Sequence, residues 1–214
     1  MEVIKKSTLA KAYLDAYNYV MWKHRVVETE DGELTYEARP LTVVVSYPND
    51  DKEHLRLVSP YQDNFMKMYE DQLINGTVSE FDYTYNERLF NYQETVNQIE
   101  AMVNKIANAV YTRRAVAMTW YPYNDNFENI AVPCLQYIQC KFMKGRLDMF
   151  TLWRSRDVLM GMPANMYVMN TLHNYIVGQL RNKGINVQIG SYTDISIVPH
   201  IYFKRDANYV KAME

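Results

Sequence analysis

Residues 132–157, VPCLQYIQCKFMKGRLDMFTLWRSRD, carry the strongest fold signal in the sequence. Segments 132–143 and 146–154 are rich in β-branched and aromatic residues and lie on either side of the turn-forming pair Lys144-Gly145. We expect two strands joined by a turn. The stretch also places Cys134 directly after a proline, at the head of an apolar segment, and the chemistry of that cysteine is the first functional question.

Periodic patterns on both sides of this stretch complete an α+β pattern. Apolar residues recur at helical spacing, which predicts helices over 8–24, 61–74, 95–110 and 164–182, the last capped by Gly184. Segments rich in β-branched residues predict further strands over 41–48, 115–122 and 195–204. Because there is no repeat, low-complexity tract or linker, we expect a single α+β domain over residues 1–214.

Composition excludes several classes of partner. The 214 residues are 48% hydrophobic, which is enough for a real core, and 23 basic against 25 acidic residues give a formal net charge of −2. Such a balance provides no overall attraction to DNA or to an acidic membrane surface. Charged residues interrupt every apolar run of the N-terminal MEVIKKSTLAKAYLDAY, so neither a signal peptide nor a membrane span fits, and we expect a cytoplasmic protein.

The two cysteines do not fit a disulfide or a metal site. Along one strand, Cys134 and Cys140 would be about 20 Å apart, whereas a disulfide requires Cα atoms within about 7 Å. The histidines have no metal-ligand spacing with one another or with the cysteines, so we expect no metal; they are His24, His54, His173 and His200. Cys134 is therefore a packed small side chain or a nucleophile. A nucleophilic thiol requires a depressed pKa, which Arg113-Arg114 or Arg154 could provide.

The segment WRSRDVLMGMPAN, 153–165, contains groups suited to a nucleotide. Arg154 and Ser155 together are suited to a phosphate, because a guanidinium forms paired charge-assisted hydrogen bonds and a hydroxyl adds another. Asn165 can donate and accept, as the recognition of one edge of a pyrimidine requires. The alternative is that Arg154 and Asp157 form a surface ion pair and Asn165 caps the following helix.

A second polar pair occurs near the C-terminus, in PHIY at 199–202. On a strand, the spacing of His200 and Tyr202 directs both side chains to one face, where they could contact the same ligand. The alternative is an aromatic core strand with a hydrogen-bonded histidine.

The order of these motifs resembles the thymidylate synthase and pyrimidine hydroxymethylase superfamily. The motifs are Thr112-Arg113-Arg114, Pro133-Cys134, the run from Arg154 to Asn165, and His200-Ile201-Tyr202. Any one of them is a weak signal, but four in this order are specific, and the match spans about residues 81–205. The resemblance implies a thymidylate synthase-like fold with a mixed β-sheet packed by helices.

The resemblance also implies catalytic roles. Cys134 resembles the nucleophile that adds to C6 of deoxyuridylate (dUMP), and this addition activates C5 toward a one-carbon donor. Tyr85 resembles the tyrosine that helps to remove the C5 proton. The active-site glutamate of the family is Glu70 by this reading, with Glu87 as the second candidate.

Binding roles follow from the same resemblance. Arg154 and Ser155 resemble phosphate ligands of the same subunit, and Arg113 and Arg114 resemble the pair that reaches the phosphate in the neighbouring subunit. The resemblance thus implies an obligate homodimer with shared active sites. A further phosphate-binding arginine in the N-terminal third could be Arg25 or Arg39; no assignment between them follows.

The remaining carried-over residues bind the nucleoside and the pterin. Asn165 resembles the amide that reads O4 and N3 of uracil, a position where aspartate marks relatives that use deoxycytidylate (dCMP). His200 and Tyr202 resemble the groups that bind the deoxyribose 3′-hydroxyl. Asp157 resembles the carboxylate that binds the pterin.

Departures from the usual family pattern indicate a particular branch. Leu135 stands where the family usually has histidine, Ala164 replaces a phenylalanine, Asn86 replaces a glycine, and the chain ends in KAME in place of a closing valine. These features resemble the short thymidylate synthases of methanogenic archaea, so the co-substrate is 5,10-methylene-tetrahydrofolate or 5,10-methylene-tetrahydromethanopterin. The implied reaction is the reductive methylation of dUMP to thymidylate (dTMP). Two alternatives stay open, a 5-hydroxymethylase of dUMP or dCMP and a non-catalytic nucleotide-binding regulator.

Overall fold

The computed structural model describes residues 1–61, 63–77, 83–127 and 131–213. The strands are β1 (Glu2–Lys6), β2 (Arg25–Glu28), β3 (Leu34–Glu37), β4 (Leu41–Val45), β5 (Val116–Met118), β6 (Leu135–Met143), β7 (Arg146–Trp153), β8 (Arg156–Asp157), β9 (Gln188–Ser196) and β10 (Pro199–Ile201). The helices are α1 (Leu9–Lys23), α2 (Lys52–Val58), α3 (Asp63–Asn75), α4 (Tyr85–Phe90), α5 (Gln98–Asn108), α6 (Pro122–Asp125), α7 (Gly161–Asn182) and α8 (Ala207–Met213).

Within these residues the strands form two sheets. The larger has the order β1-β4-β9-β7-β6-β5, with parallel pairing of β1 with β4 and of β7 with β9 and antiparallel pairing elsewhere. The smaller has the order β2-β3-β10-β8. Helices pack against these sheets, and their buried apolar side chains form one connected cluster. The expected α+β fold with a mixed sheet is confirmed.

The hairpin of β6 and β7 forms where the sequence predicts it. Lys144 and Gly145 both have positive φ, 50° and 78°, and a two-residue turn of this kind matches the twist of the flanking strands. At the opposite end of the hairpin, the Arg154 N–H donates to the Cys134 carbonyl at 2.9 Å. The hairpin therefore brings two motifs together that are separated by about twenty residues in the chain.

Helix α7 provides the central wall of the core. Most of its face toward the sheet is apolar and buried; these residues include Met162, Met166, Met169, Leu172, Ile176 and Leu180. It contacts α3, α5 and β9. Gly184 follows its last turn with φ of 80°, the left-handed conformation that ends many helices, so the expected cap is confirmed.

The helices predicted from periodicity agree with α1, α3, α5 and α7 to within a few residues. In α5, Ile99, Met102, Val103 and Ile106 are buried on one face, and the side chain of Asn97 accepts the Glu100 N–H at 2.9 Å. This cap explains why the helix begins three residues after the predicted start.

Two strand predictions require correction. The continuous strand expected over 195–204 is wrong, because β9 ends at Ser196 and β10 begins at Pro199 in the other sheet. Proline has no N–H for a sheet, and residues 197–198 bend between the two strands. The strand expected over 115–122 is only three residues long. Strands β1, β2, β3 and most of β9 were not predicted, since their short or polar sequences carry little alternation.

Candidate active site

A cavity of about 410 Å³ opens beside the end of the β6–β7 hairpin. Its wall includes five of the predicted site residues: Tyr85, Cys134, Ser155, Asp157 and Asn165. They come from α4, the segment before β6, the segment from β7 to β8, and α7. The fold thus assembles the separated motifs around one space.

Cys134 lies in this wall with a partly buried side chain, and Cys140 is fully buried; both are free thiols. Burial raises the pKa of the Cys134 thiol above its usual value, the positive charges of Arg154 and Arg156 oppose that shift, and Asp157 adds to it. The depressed pKa expected from a neighbouring cation is therefore wrong for the isolated chain, since desolvation outweighs the two guanidinium groups.

Arg154 supports the segment that carries the thiol. Its Nε donates to the Pro133 carbonyl at 3.0 Å and its Nη2 to the Val132 carbonyl at 2.9 Å. These bonds fix the backbone immediately before Cys134. The adjacent Ser155 lines the cavity.

Arg156 is a site residue to which sequence analysis gave no role. It is 1% exposed, lines the cavity, forms an ion pair with Asp194, and lies 3.7 Å from the centre of the Trp153 ring. Its Nε and Nη1 have no hydrogen-bond partner among the residues that the structure describes. No local pattern predicts this ion pair, because Asp194 lies 38 residues from Arg156 along the chain.

Tyr85 contacts the cysteine segment directly. Its hydroxyl oxygen accepts the Leu135 N–H at 3.2 Å, and its ring packs edge-on against Trp153. Burial raises the pKa of Tyr85 well above its ordinary value, so the phenol stays protonated. The Tyr85 hydroxyl also hydrogen-bonds the side chain of Tyr83, another residue of the cavity wall.

Asn165 lies in the second turn of α7, because the helix begins at Gly161, and it is not the cap of that helix. Its Oδ1 accepts a hydrogen bond from the Tyr69 hydroxyl at 2.8 Å. Tyr69, Phe65 and Gln72 of α3 also line the cavity, and sequence analysis missed all three. Their spacing of four and three residues was the available signal, since it places them on one helical face.

The two candidate glutamates lie elsewhere. Glu70 follows Tyr69 in α3, but its carboxylate pairs with Lys52 of α2 and with the Thr171 hydroxyl of α7. Glu87 closes the capping box of α4, where its carboxylate accepts the Thr84 N–H at 3.0 Å. Neither lines the cavity, so the structure does not bring either one together with Cys134.

Asp157 is oriented by Arg205, which was not predicted as a site residue. Its Oδ2 accepts from Arg205 at 2.9 Å, and its Oδ1 accepts the Met160 N–H at 3.0 Å. Asp157 thus forms its ion pair with Arg205, and the alternative of a surface ion pair between Asp157 and Arg154 is wrong. This carboxylate is fixed at the cavity wall.

His200 and Tyr202 come together beside Asp157, although neither lines the cavity. Pairing of β10 with β8 aligns His200 with Asp157. The His200 Nδ1–H donates to the Val198 carbonyl at 3.0 Å, which leaves Nε2 as an acceptor, and the two rings meet edge to face at 5.0 Å. An acceptor of this kind suits a sugar hydroxyl.

Arg154 is not among the residues that line the cavity, and neither are the other four candidate phosphate-binding arginines. Arg113 and Arg114 are exposed on the segment before β5, and Arg25 and Arg39 are exposed near β2 and β4. Arg25 lies 3.8 Å from Glu37 on the neighbouring strand. In this chain none of the four reaches the space beside Cys134.

Among the described residues, no cluster of three or more His, Cys, Asp or Glu side chains is arranged to hold a metal ion. None of the helices described above combines the length and apolar character needed to cross a membrane.

Residues 4–212 match the family model described as thymidylate synthase. The chain is 34% identical to a protein of Methanocaldococcus jannaschii, over 99% of this chain and 95% of that protein. It is 32% identical to a protein of Methanosarcina acetivorans over 94% and 89%, and 27% identical to one of Methanothermobacter thermautotrophicus over 99% and 96%. All three carry the name "Putative thymidylate synthase". The similarity covers the cavity and nearly all of the surrounding fold.

Proposed function

We propose that this chain, which belongs to the thymidylate synthase family, methylates dUMP to dTMP with a methylene-tetrahydropterin as co-substrate. The observation that carries the proposal is the placement of Cys134 and Asn165 in the wall of one cavity. A thiol and a base-reading amide within one space are what covalent activation of a pyrimidine requires.

Cys134 is the nucleophile in this proposal. Its sulfur adds to C6 of the uracil ring, the C5–C6 π electrons move toward C5 and O4, and C5 becomes able to form a bond with a one-carbon unit. The positive charges of Arg154 and Arg156 act against the burial that disfavours the thiolate. Asn165 donates toward O4, where negative charge develops.

Tyr85 acts as a neutral hydroxyl in the later proton transfer. Because burial keeps its pKa high, it orients a water or donates a hydrogen bond near C5 and does not act as a phenolate base. In the proposal, a water ordered by Tyr85 takes the C5 proton. Once the methylene on C5 has received its hydride, the electron pair returns to the C5–C6 bond and Cys134 leaves C6 as the thiolate.

Ser155 and Arg154 are the proposed phosphate ligands of this subunit, and His200 and Tyr202 the ligands of the deoxyribose hydroxyl. Ser155 lines the cavity. The Nε2 acceptor of His200 complements a hydroxyl donor.

The cavity also suits a flat, partly apolar co-substrate. Tyr61 and Phe65 stack at 4.1 Å and form an aromatic side of the wall, and Asp157 adds a carboxylate held by Arg205. A carboxylate accepts from the ring N–H and amino groups of a pterin. When bound, the reduced pterin supplies the methylene group and a hydride.

A homodimer with shared sites is part of the proposal. Tyr137, Phe150, Leu152 and Ile195 project from the face of the large sheet opposite to the core, because they alternate with buried residues along β6, β7 and β9. Gln139 and Asp148 lie on the same face, which is therefore partly apolar and partly polar; such a face suits a second copy of the chain. Exposed Arg113 and Arg114 would then be available to the site of the partner.

Tritium release tests the function. Incubating the protein with 5-tritiated dUMP and either methylene-tetrahydrofolate or methylene-tetrahydromethanopterin should release tritium with at least one donor, and mass spectrometry should identify dTMP. Cys134→Ala should abolish release, by at least about a thousandfold, and still bind dUMP. No release with either donor would refute the proposal, and 5-hydroxymethyl-dUMP as the product would assign the hydroxymethylase reaction instead.

A further inference from the structure

Tyr69 contacts the proposed base-reading amide of Asn165 from a different helix of the cavity wall. It belongs to α3, whereas Asn165 belongs to α7, and their side chains meet through the 2.8 Å bond from the Tyr69 hydroxyl to Asn165 Oδ1. Both residues line the cavity that contains Cys134. The contact is therefore part of the nucleotide site.

The hydroxyl of Tyr69 acts as a hydrogen-bond donor to Asn165. Burial raises its pKa far above the ordinary value of a tyrosine, so the phenol stays protonated. Within the described part of the chain, Asn165 Oδ1 is the acceptor bonded to this hydroxyl. On the other side of the amide, Nδ2 faces Gly161, where a methyl group added at the glycine Cα would lie 3.7 Å away. The amide thus turns its oxygen toward α3 and its nitrogen away from it.

The ring that carries the hydroxyl packs against Phe65 of the same helix, and Phe65 in turn stacks on Tyr61, which precedes the helix. Tyr61, Phe65 and Tyr69 follow one another at four-residue spacing, with ring-centre distances of 4.1 Å and 5.9 Å. Such packing restricts the tyrosine rotamer, so the donor is positioned before a ligand binds.

We propose that Tyr69 is a positioning residue that sets the base selectivity of the site. By donating to Oδ1, it leaves the Asn165 N–H groups to face an exocyclic oxygen at C4 of a pyrimidine, as in uracil. Cytosine carries an amino group at this position, and its recognition would require the amide to turn over. The turned amide would place N–H groups against the Tyr69 hydroxyl and leave its proton without an acceptor, which is unfavourable for a buried donor. This inference rests on the proposed function, because it assumes that Asn165 reads a pyrimidine nucleotide.

Calorimetric binding of dUMP and dCMP, without pterin, tests the inference. The wild-type chain should prefer dUMP, so the Kd for dCMP divided by the Kd for dUMP should exceed one. Tyr69→Phe keeps the ring and removes only the hydroxyl, and it should lower this ratio about tenfold. A general loss of structure would weaken the binding of both nucleotides and leave the ratio of their dissociation constants unchanged. A change in the ratio therefore reports on the positioning role. Cooperative thermal unfolding establishes that the variant folds. If it does not, Tyr69→Met, an apolar substitution without a donor, should lower the ratio in the same way.

Tyr19→Phe is the matched control. It also removes a phenolic hydrogen bond, from Tyr19 to the Arg39 carbonyl at 3.3 Å, but lies outside the cavity, and it should keep the wild-type ratio. A folded Tyr69→Phe protein with the wild-type preference for dUMP would overturn this inference alone. A wild-type chain that binds neither nucleotide would overturn the proposed function and this inference together.

Discussion

Cys134 and Cys140 differ in environment although they are only six positions apart in the chain. Cys140 is fully buried in β6, whereas Cys134 precedes the strand and reaches the cavity. Burial raises the pKa of both thiols, and only at Cys134 do arginines oppose the shift. Reactivity should therefore be confined to one site and should depend on pH.

Alkylation by iodoacetamide measures this difference. We expect one adduct per native chain by intact mass, at Cys134, because a thiol must be accessible and ionised to react. A raised pKa lowers the thiolate fraction at pH 7, so the reaction should be slower than that of free cysteine at pH 7 and should accelerate as the pH rises above 9. Cys134→Ala should abolish the adduct, and Cys140→Ala should retain it. Two adducts on the native chain would contradict the burial of Cys140.

Residues predicted from contiguous motifs do line the cavity, whereas lining residues whose placement depends on helix phase or on distant pairing were missed. Cys134, Asn165 and Asp157 belong to contiguous patterns and do line the cavity. Glu70 was chosen because its residue type suited the reaction, yet one step along α3 rotates a side chain by about 100°, and the adjacent Tyr69 is the one that faces Asn165. Arg156 pairs with a residue on another strand, which no local pattern reveals.

At the scale of elements, α7 connects the site to the sheet. Its first two turns carry Asn165, and two turns further on His173 is fully buried against β7, where its Nε2–H donates to the Leu147 carbonyl at 2.7 Å. Its Nδ1 has no partner among the described residues. Burial lowers the pKa of His173 from 6.5 to about 4, against the opposing effects of that hydrogen bond and of Asp148. The contact between α7 and β7 therefore depends on a neutral histidine.

The consequence is a loss of stability in mild acid. Between pH 6.5 and about 4, the unfolded chain protonates His173 and the folded chain does not, so the free energy of unfolding falls as the pH falls through this window. Urea unfolding at pH 7.0 and pH 4.5 should show that His173→Gln, which can still donate to Leu147, loses less stability than the wild type, by about 2 kcal/mol. Equal losses in the wild type and in His173→Gln would contradict the prediction.

Elements with strong periodicity were predictable, and those defined by their neighbours were not. The hairpin turn at Lys144-Gly145 and the amphipathic α5 carry their own signals. By contrast, β8 has two residues and β10 has three, and both exist because they pair with each other beside the site. A local pattern of two or three residues cannot predict such pairing, which explains the incorrect continuous strand over 195–204.

At the scale of the whole molecule, one chain provides the cavity with the proposed nucleophile and the proposed base-reading amide, but the exposed side chains of Arg113 and Arg114 lie away from it. Arg113 and Arg114 precede β5 at one edge of the large sheet. From this edge, the partly apolar outer face of the sheet extends across β6, β7 and β9. A second copy packed on this face, related by two-fold symmetry, would reciprocally offer its arginines to the first. Arg113 and Arg114, which do not reach the cavity of their own subunit, would then complete the site of the other subunit.

Complementation between inactive variants tests this arrangement. Cys134→Ala and the double variant Arg113→Ala/Arg114→Ala should each be inactive, or nearly so, as homodimers. When the two chains are co-expressed, each mixed dimer has one site with an intact cysteine from one subunit and intact arginines from the other, so about a quarter of the wild-type tritium release should return.

The matched control co-expresses Cys134→Ala with Arg154→Ala, whose altered groups belong to the same subunit's site. No mixed dimer then contains an intact site, and activity should stay absent. Light scattering should give the mass of a dimer for every variant, which excludes loss of assembly as the cause of inactivity. If the arginines acted within their own subunit, the first pair would fail in the same way as the control, because an intact cysteine would always be accompanied by the altered arginines.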